Sequence, residues 1–109
     1  MQGDIAGKLN FFTDISSGAV TTDVNGHGTH VAGIAAGSGV TGDTDPQGFL
    51  LGQGVAPLAS LGSINAIGVG AGSTIQTRVT SASSNNASVM NNSWGGALNN
   101  GYSLSLIHI

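Results

Sequence analysis

Cysteine is absent from the chain, which rules out a disulfide framework and a thiolate zinc site and leaves the redox compartment open. Glutamate is absent too, and one lysine and one arginine stand against five aspartates, a net charge of -3. No basic patch is available to neutralise phosphates, so no nucleic acid and no membrane is expected as a partner. No apolar run approaches the roughly 18 residues of a membrane span, and Met1-Gln2-Gly3-Asp4 does not begin an export signal. Any such signal is expected outside these residues. Charged residues make up only 6% of the 109, whereas glycine alone accounts for 19, and small side chains bury little area each. Such a chain must pack backbones closely or borrow apolar surface from other segments, and the second route implies a fragment of a larger domain.

Local patterns divide the chain into alternating elements. Lys8 to Phe12 reads as a short strand after a turn at Gly7. Val31, Ala32, Ile34, Ala35 and Ala36 form a dense apolar run stopped by Gly37-Ser38-Gly39, which predicts a short buried helix over 27–36. Its glycines lower helix propensity by up to about 1 kcal/mol each and make sense where another backbone comes close. Val40 to Gly54 reads as a surface loop, and Pro57 precedes a strand within Ala59 to Ile67. Ser73 or Thr74 caps a second helix in which Ile75, Val79 and Ala82 recur, ended by Asn85-Asn86. Val89 to Trp94 then reads as a third strand running into Gly95-Gly96. The order strand, helix, strand, helix, strand predicts an α/β fold with a parallel sheet and crossover helices.

His27 is the first candidate for chemistry. A general base for a serine nucleophile is a neutral imidazole held at fixed orientation with one nitrogen facing the substrate. His27 stands between Gly26 and Gly28, which leave room for substrate, at the start of the first helix. His30, three positions on, shares its face, so the pair also fits two ligands of a metal, with no third ligand evident.

Gly26-His27-Gly28-Thr29-His30-Val31-Ala32-Gly33-Ile34-Ala35-Ala36-Gly37 resembles the histidine motif of the subtilases, the subtilisin-like serine proteases. By that resemblance His27 is the catalytic base and His30 a structural partner, with no metal site. Gly54-Val55-Ala56-Pro57-Leu58-Ala59 is similar to the family's strand entry after the histidine helix. Asn91-Asn92-Ser93-Trp94-Gly95-Gly96 is similar to its substrate strand. The resemblance implies a piece of a three-layer α/β/α parallel sheet, a polypeptide substrate aligned by Ser93, Trp94 and Gly95 through strand addition, and a secreted enzyme.

The triad also requires an orienting aspartate and a serine nucleophile, in chain order Asp, His, Ser. Asp14-Ile15-Ser16 lacks the family's glycine and lies only 13 positions before His27, while Asp23 belongs to the lead-in of the histidine motif. Asp4 resembles the segment that follows the catalytic aspartate. No nucleophile or oxyanion-donor motif occurs, so both missing partners are expected outside residues 1–109, and the 109 residues alone are expected to be inactive. Residues 1–103 read as the partial catalytic domain. Leu104 to Ile109 does not continue the family pattern and resembles translated adapter read-through, so His108 receives no role.

Asn91-Asn92-Ser93-Trp94-Gly95 is one glycine short of the α/β-hydrolase elbow, but there the nucleophile precedes the histidine, and here Ser93 follows it. A catalytically inactive subtilase homologue and a secreted binding module are the remaining alternatives; no 20–50-residue repeat supports a solenoid. No cofactor is expected. Asp43 and Asp45 offer two carboxylates to a structural calcium ion, although a plain turn accounts for Gly42 to Gly48.

Overall fold

The computed structural model describes residues 3–15, 22–23, 25–65 and 74–94. After a 3₁₀ turn at Gly3–Ile5 come β1 (Leu9–Asp14), α1 (His27–Ala36), β2 (Leu61–Asn65) and α2 (Ile75–Ser84). β1 and β2 pair in parallel, Phe11 to Gly62, Phe12 to Ser63, Thr13 to Ile64 and Asp14 to Asn65, with an irregularity between Leu9 and Phe11. Parallel neighbours require a crossover connection, and α1 with the loop that follows it supplies one. The Phe11 ring lies across Gly62, where a Cβ would collide with it.

Both helices begin where the sequence indicates. Thr74, in extended conformation, accepts the Thr77 N–H at 3.2 Å and caps α2. Asn85 ends that helix, and Asn86 follows with φ 57°, a left-handed conformation that asparagine tolerates. α1 ends at Ala36, but Gly37 leaves it with φ -56° and ψ 140° rather than in the left-handed form usual at such ends. The reason for glycine at Gly37 and Gly54 is close backbone approach. A Cβ on Gly54 would stand 2.6 Å from the Gly37 nitrogen, 2.7 Å from the Ala36 nitrogen and 2.8 Å from the Gly33 oxygen. That approach lets the N–H groups of Gly54, Val55 and Ala56 donate to the carbonyls of Gly37, Ile34 and Ala35 at 2.8, 3.0 and 2.8 Å. Carbonyls that a helix end would leave without partners are thereby satisfied by another segment of backbone.

The loop between α1 and β2 folds back on itself through antiparallel bridges Ser38 to Gln53 and Thr44 to Leu50. Asp45 Oδ1 accepts the N–H groups of Gln47 and Phe49, each at 2.9 Å, so this carboxylate closes the turn from within. Pro57 lies ahead of the β2 ladder, and its carbonyl accepts from Lys8 Nζ.

The fold class is α/β, as expected, with two strands in the sheet of the described residues. Two expectations are corrected. Val89–Trp94 forms no strand ladder among the described residues, where the sheet consists of β1 and β2 and neither exchanges ladder hydrogen bonds with it. Nor is α1 buried along its length: Gly33 and Ala36 are, whereas His27 and His30 are exposed and Ile34 is 56% exposed. The described core is made of small residues, Ala36 and Ala82 being its buried apolar side chains, and leaves Leu9, Ile75 and Leu58 open to solvent. α2 packs against β2, as the crossover pattern requires.

Asp4 is the buried charged residue of that core, 5% exposed. Its Oδ1 accepts the Val40 N–H at 2.8 Å, and its main-chain oxygen accepts from the Ser38 N–H and hydroxyl at 3.0 and 2.7 Å. The Val40 N–H holds the carboxyl below the ordinary aspartate range. Asp4 therefore ties the first turn to the loop that leaves α1.

Candidate active site

Glycine and aspartate together set His27 in place. Gly26 adopts φ 83°, a left-handed conformation open to glycine, and turns the chain directly into α1. Its oxygen accepts the His30 N–H at 3.0 Å, so the turn is already part of the helical ladder. Gly26 has no side chain to cap the helix, and Asp23 takes over that task from outside. Asp23 Oδ1 accepts the Gly26 N–H at 2.8 Å, and Oδ2 accepts the Thr29 N–H at 2.7 Å and the Thr29 hydroxyl at 2.8 Å. A Cβ at position 28 would lie 3.4 Å from Asp23 Oδ2, ordinary contact distance, so the carboxylate closes tightly over the first turn.

Negative charge is favoured where helix N–H groups converge. The Thr29 N–H, helped by the Thr29 hydroxyl and then the Gly26 and Asn25 N–H groups, holds the Asp23 carboxyl below the ordinary aspartate range. Asp23 fastens both ends of the segment 26–29, and His27 stands between them. The sequence signal for this role is an aspartate shortly before a helix start. Reading Asp23 only as part of a motif's lead-in missed it.

The segment ending at Trp94 carries the other residues singled out in the sequence. Asn91 Nδ2 donates to Ser93 Oγ at 2.9 Å, and Trp94 Nε1 donates to Asn92 Oδ1 at 3.2 Å. One face of the Trp94 ring is covered by Arg78 of α2, whose guanidinium carbon stands 4.3 Å from the ring centroid. Gly95 lies outside the described residues, as do Gly96 and the tail 104–109.

Val31, Ile34 and Ala35 of α1 line a cleft of about 190 Å³ together with Val55, Asn91 and Ser93. The structure thus brings the histidine helix and Ser93 to one cleft, and joins Trp94 to α2. His27 is one turn ahead of that lining, at the exposed start of the helix. Among the described residues no group of three or more His, Cys, Asp or Glu side chains is placed to hold a metal ion, and no helix is long and apolar enough to cross a membrane.

Residues 10–105 match the family model described as the subtilase family, peptidase S8. No curated protein and no solved structure matches the chain.

Proposed function

The chain belongs to the subtilase family, and from that premise we propose that it is the histidine-bearing part of a serine endopeptidase. His27 takes the proton from the serine hydroxyl as that oxygen attacks the peptide carbonyl, and returns it to the leaving amine. Ser93, Trp94 and Gly95 align the substrate as an added strand through main-chain hydrogen bonds. No motif for the nucleophile or the orienting aspartate occurs in the 109 residues, so both come from other segments of the parent polypeptide. Secretion follows from the same family reading.

The observation that carries this reading is the Asp23 clamp around Gly26 to Thr29. A base catalyst works only when its imidazole is fixed relative to substrate, and here the turn on both sides of His27 is fastened to one carboxylate. The exposure of His27 supports the same reading, since a base must reach a proton on another segment.

A fluorophosphonate probe tests the assignment on the enzyme expressed from the complete reading frame that carries this segment. Labelling is expected on a serine outside residues 1–109, and His27→Ala abolishes it. Labelling of Ser93 would instead make Ser93 the nucleophile and overturn the reading.

A further inference from the structure

Asn25-Gly26 is the pair of residues in which an asparagine side chain is least obstructed from reacting with the following main-chain nitrogen, because glycine carries no Cβ. Asn25 is exposed, and among the described residues nothing beyond the two chain neighbours lies within 4 Å of where a Cβ on Gly26 would stand. The described residues therefore give the pair no steric protection. One contact does stand in the way: the Gly26 N–H is held by Asp23 Oδ1 at 2.8 Å.

We propose that Asn25-Gly26 is a latent deamidation site adjoining His27, kept closed by the hydrogen bond from the Gly26 N–H to Asp23. The reaction begins when the Gly26 nitrogen gives up its proton to hydroxide and attacks Asn25 Cγ. The bond from Cγ to the side-chain nitrogen breaks, ammonia leaves, and a five-membered succinimide remains. Water then opens one of the two ring bonds to that nitrogen. Opening the bond to Cγ gives aspartate, and opening the bond to the main-chain carbonyl carbon gives isoaspartate, with the chain now running through Cγ. No oxidant or further reactant is consumed.

Asp23 opposes the first step in two ways. Its oxygen holds the proton that must leave, and its negative charge disfavours both the approach of hydroxide and the amide anion. An aspartate carboxylate is fully ionised at the alkaline pH where deamidation is fastest, so this protection persists there. Gly26 is also held from the other side, through its oxygen and the His30 N–H at 3.0 Å, which limits its movement towards Asn25 Cγ.

Either product places a new carboxylate two residues before His27. Isoaspartate also lengthens the main chain by one methylene between Asp23 and α1, so the clamp can no longer span 23–29 as it does. The chemistry is independent of what His27 does, while its effect on activity rests on the reading of His27 as the base.

Mass spectrometry tests the proposal on the 109-residue chain incubated in mildly alkaline buffer. Trypsin separates Asn25, within residues 9–78, from the second Asn-Gly pair, Asn100-Gly101, within residues 79–109. In the folded wild-type chain, conversion at Asn25 is expected to be roughly tenfold slower than in the same chain dissolved in urea, the factor expected for one charge-assisted hydrogen bond. Asp23→Ala raises the folded rate by about that factor. Asn25→Gln removes the signal from residues 9–78, because glutamine would have to close a slower six-membered ring. Equal rates at Asn25 in buffer and in urea would overturn the proposal, and so would a folded Asp23→Ala chain that converts no faster than wild type. If circular dichroism shows Asp23→Ala to be unfolded, the comparison of wild type in buffer and in urea decides. Activity enters none of these readouts, so they stand apart from the test of His27.

Discussion

Asp23→Ala takes away the acceptor for the Gly26 and Thr29 N–H groups and for the Thr29 hydroxyl, and the N-cap residue Gly26 has no side chain to replace it. A lost helix cap of this kind costs about 1 kcal/mol. The effect has a defined pH dependence. An unfolded aspartate titrates near about 3.9, and the folded carboxyl, with N–H groups converging on it, titrates lower. The clamp therefore contributes fully above the unfolded value and loses its contribution as the pH falls through the lower folded value. Urea unfolding at neutral pH is expected to separate wild type from Asp23→Ala, and the gap is expected to close as the solution is acidified through that window. A gap that widens on acidification would contradict the clamp. Asp4 is a different case at the same scale: its partners Ser38 and Val40 lie 34 and 36 positions away, so no local pattern reveals its role.

At the scale of elements, α1 and the segment from Gly54 to Ala56 form one unit through backbone contact. Gly54→Ala tests it, since the added Cβ meets main-chain atoms of residues 33, 36 and 37, which cannot swing aside as a side chain tip can. A loss of roughly 2–3 kcal/mol or more in unfolding free energy is expected, against about 1 kcal/mol for Gly42→Ser, where space is open and the left-handed φ of 74° is the one cost. A Gly54→Ala cost no larger than that of Gly42→Ser would contradict close backbone approach as the reason for glycine at position 54. Both helices were legible in the sequence because their determinants are local: the apolar run 31–36 between Gly26 and Gly37, and Thr74 three residues before Thr77 with Asn85 at the far end. Pairing is not local. The partner of β1 lies some fifty residues on, and Val89–Trp94 has strand-like composition yet no ladder, because composition says nothing of which strand lies alongside.

Across the described residues taken together, a two-stranded sheet and a core of small residues leave Leu58 at 96%, Val55 at 89% and Ile75 at 65% exposure. Those values agree with the composition, in which glycine, serine, asparagine and alanine leave few large side chains to share a core. The site is divided in the same way. His27 and its glycine frame were legible because a local motif carries them, and the structure adds the clamp that fixes them and the cleft shared by Ser93 and α1. What no local pattern supplied was the joining of Trp94 to α2 through Arg78, a contact between residues 16 positions apart. If His27 is the proton carrier of a subtilase, as proposed, hydrolysis of a chromogenic peptide by the enzyme expressed from the complete reading frame measures its contribution directly. His27→Ala is expected to lower kcat/KM by about 10²–10⁴-fold or more while His30→Ala, at the other exposed histidine of α1, retains most of it. Comparable losses in the two variants, or a His27→Ala enzyme within a few-fold of wild type, would contradict that role for His27.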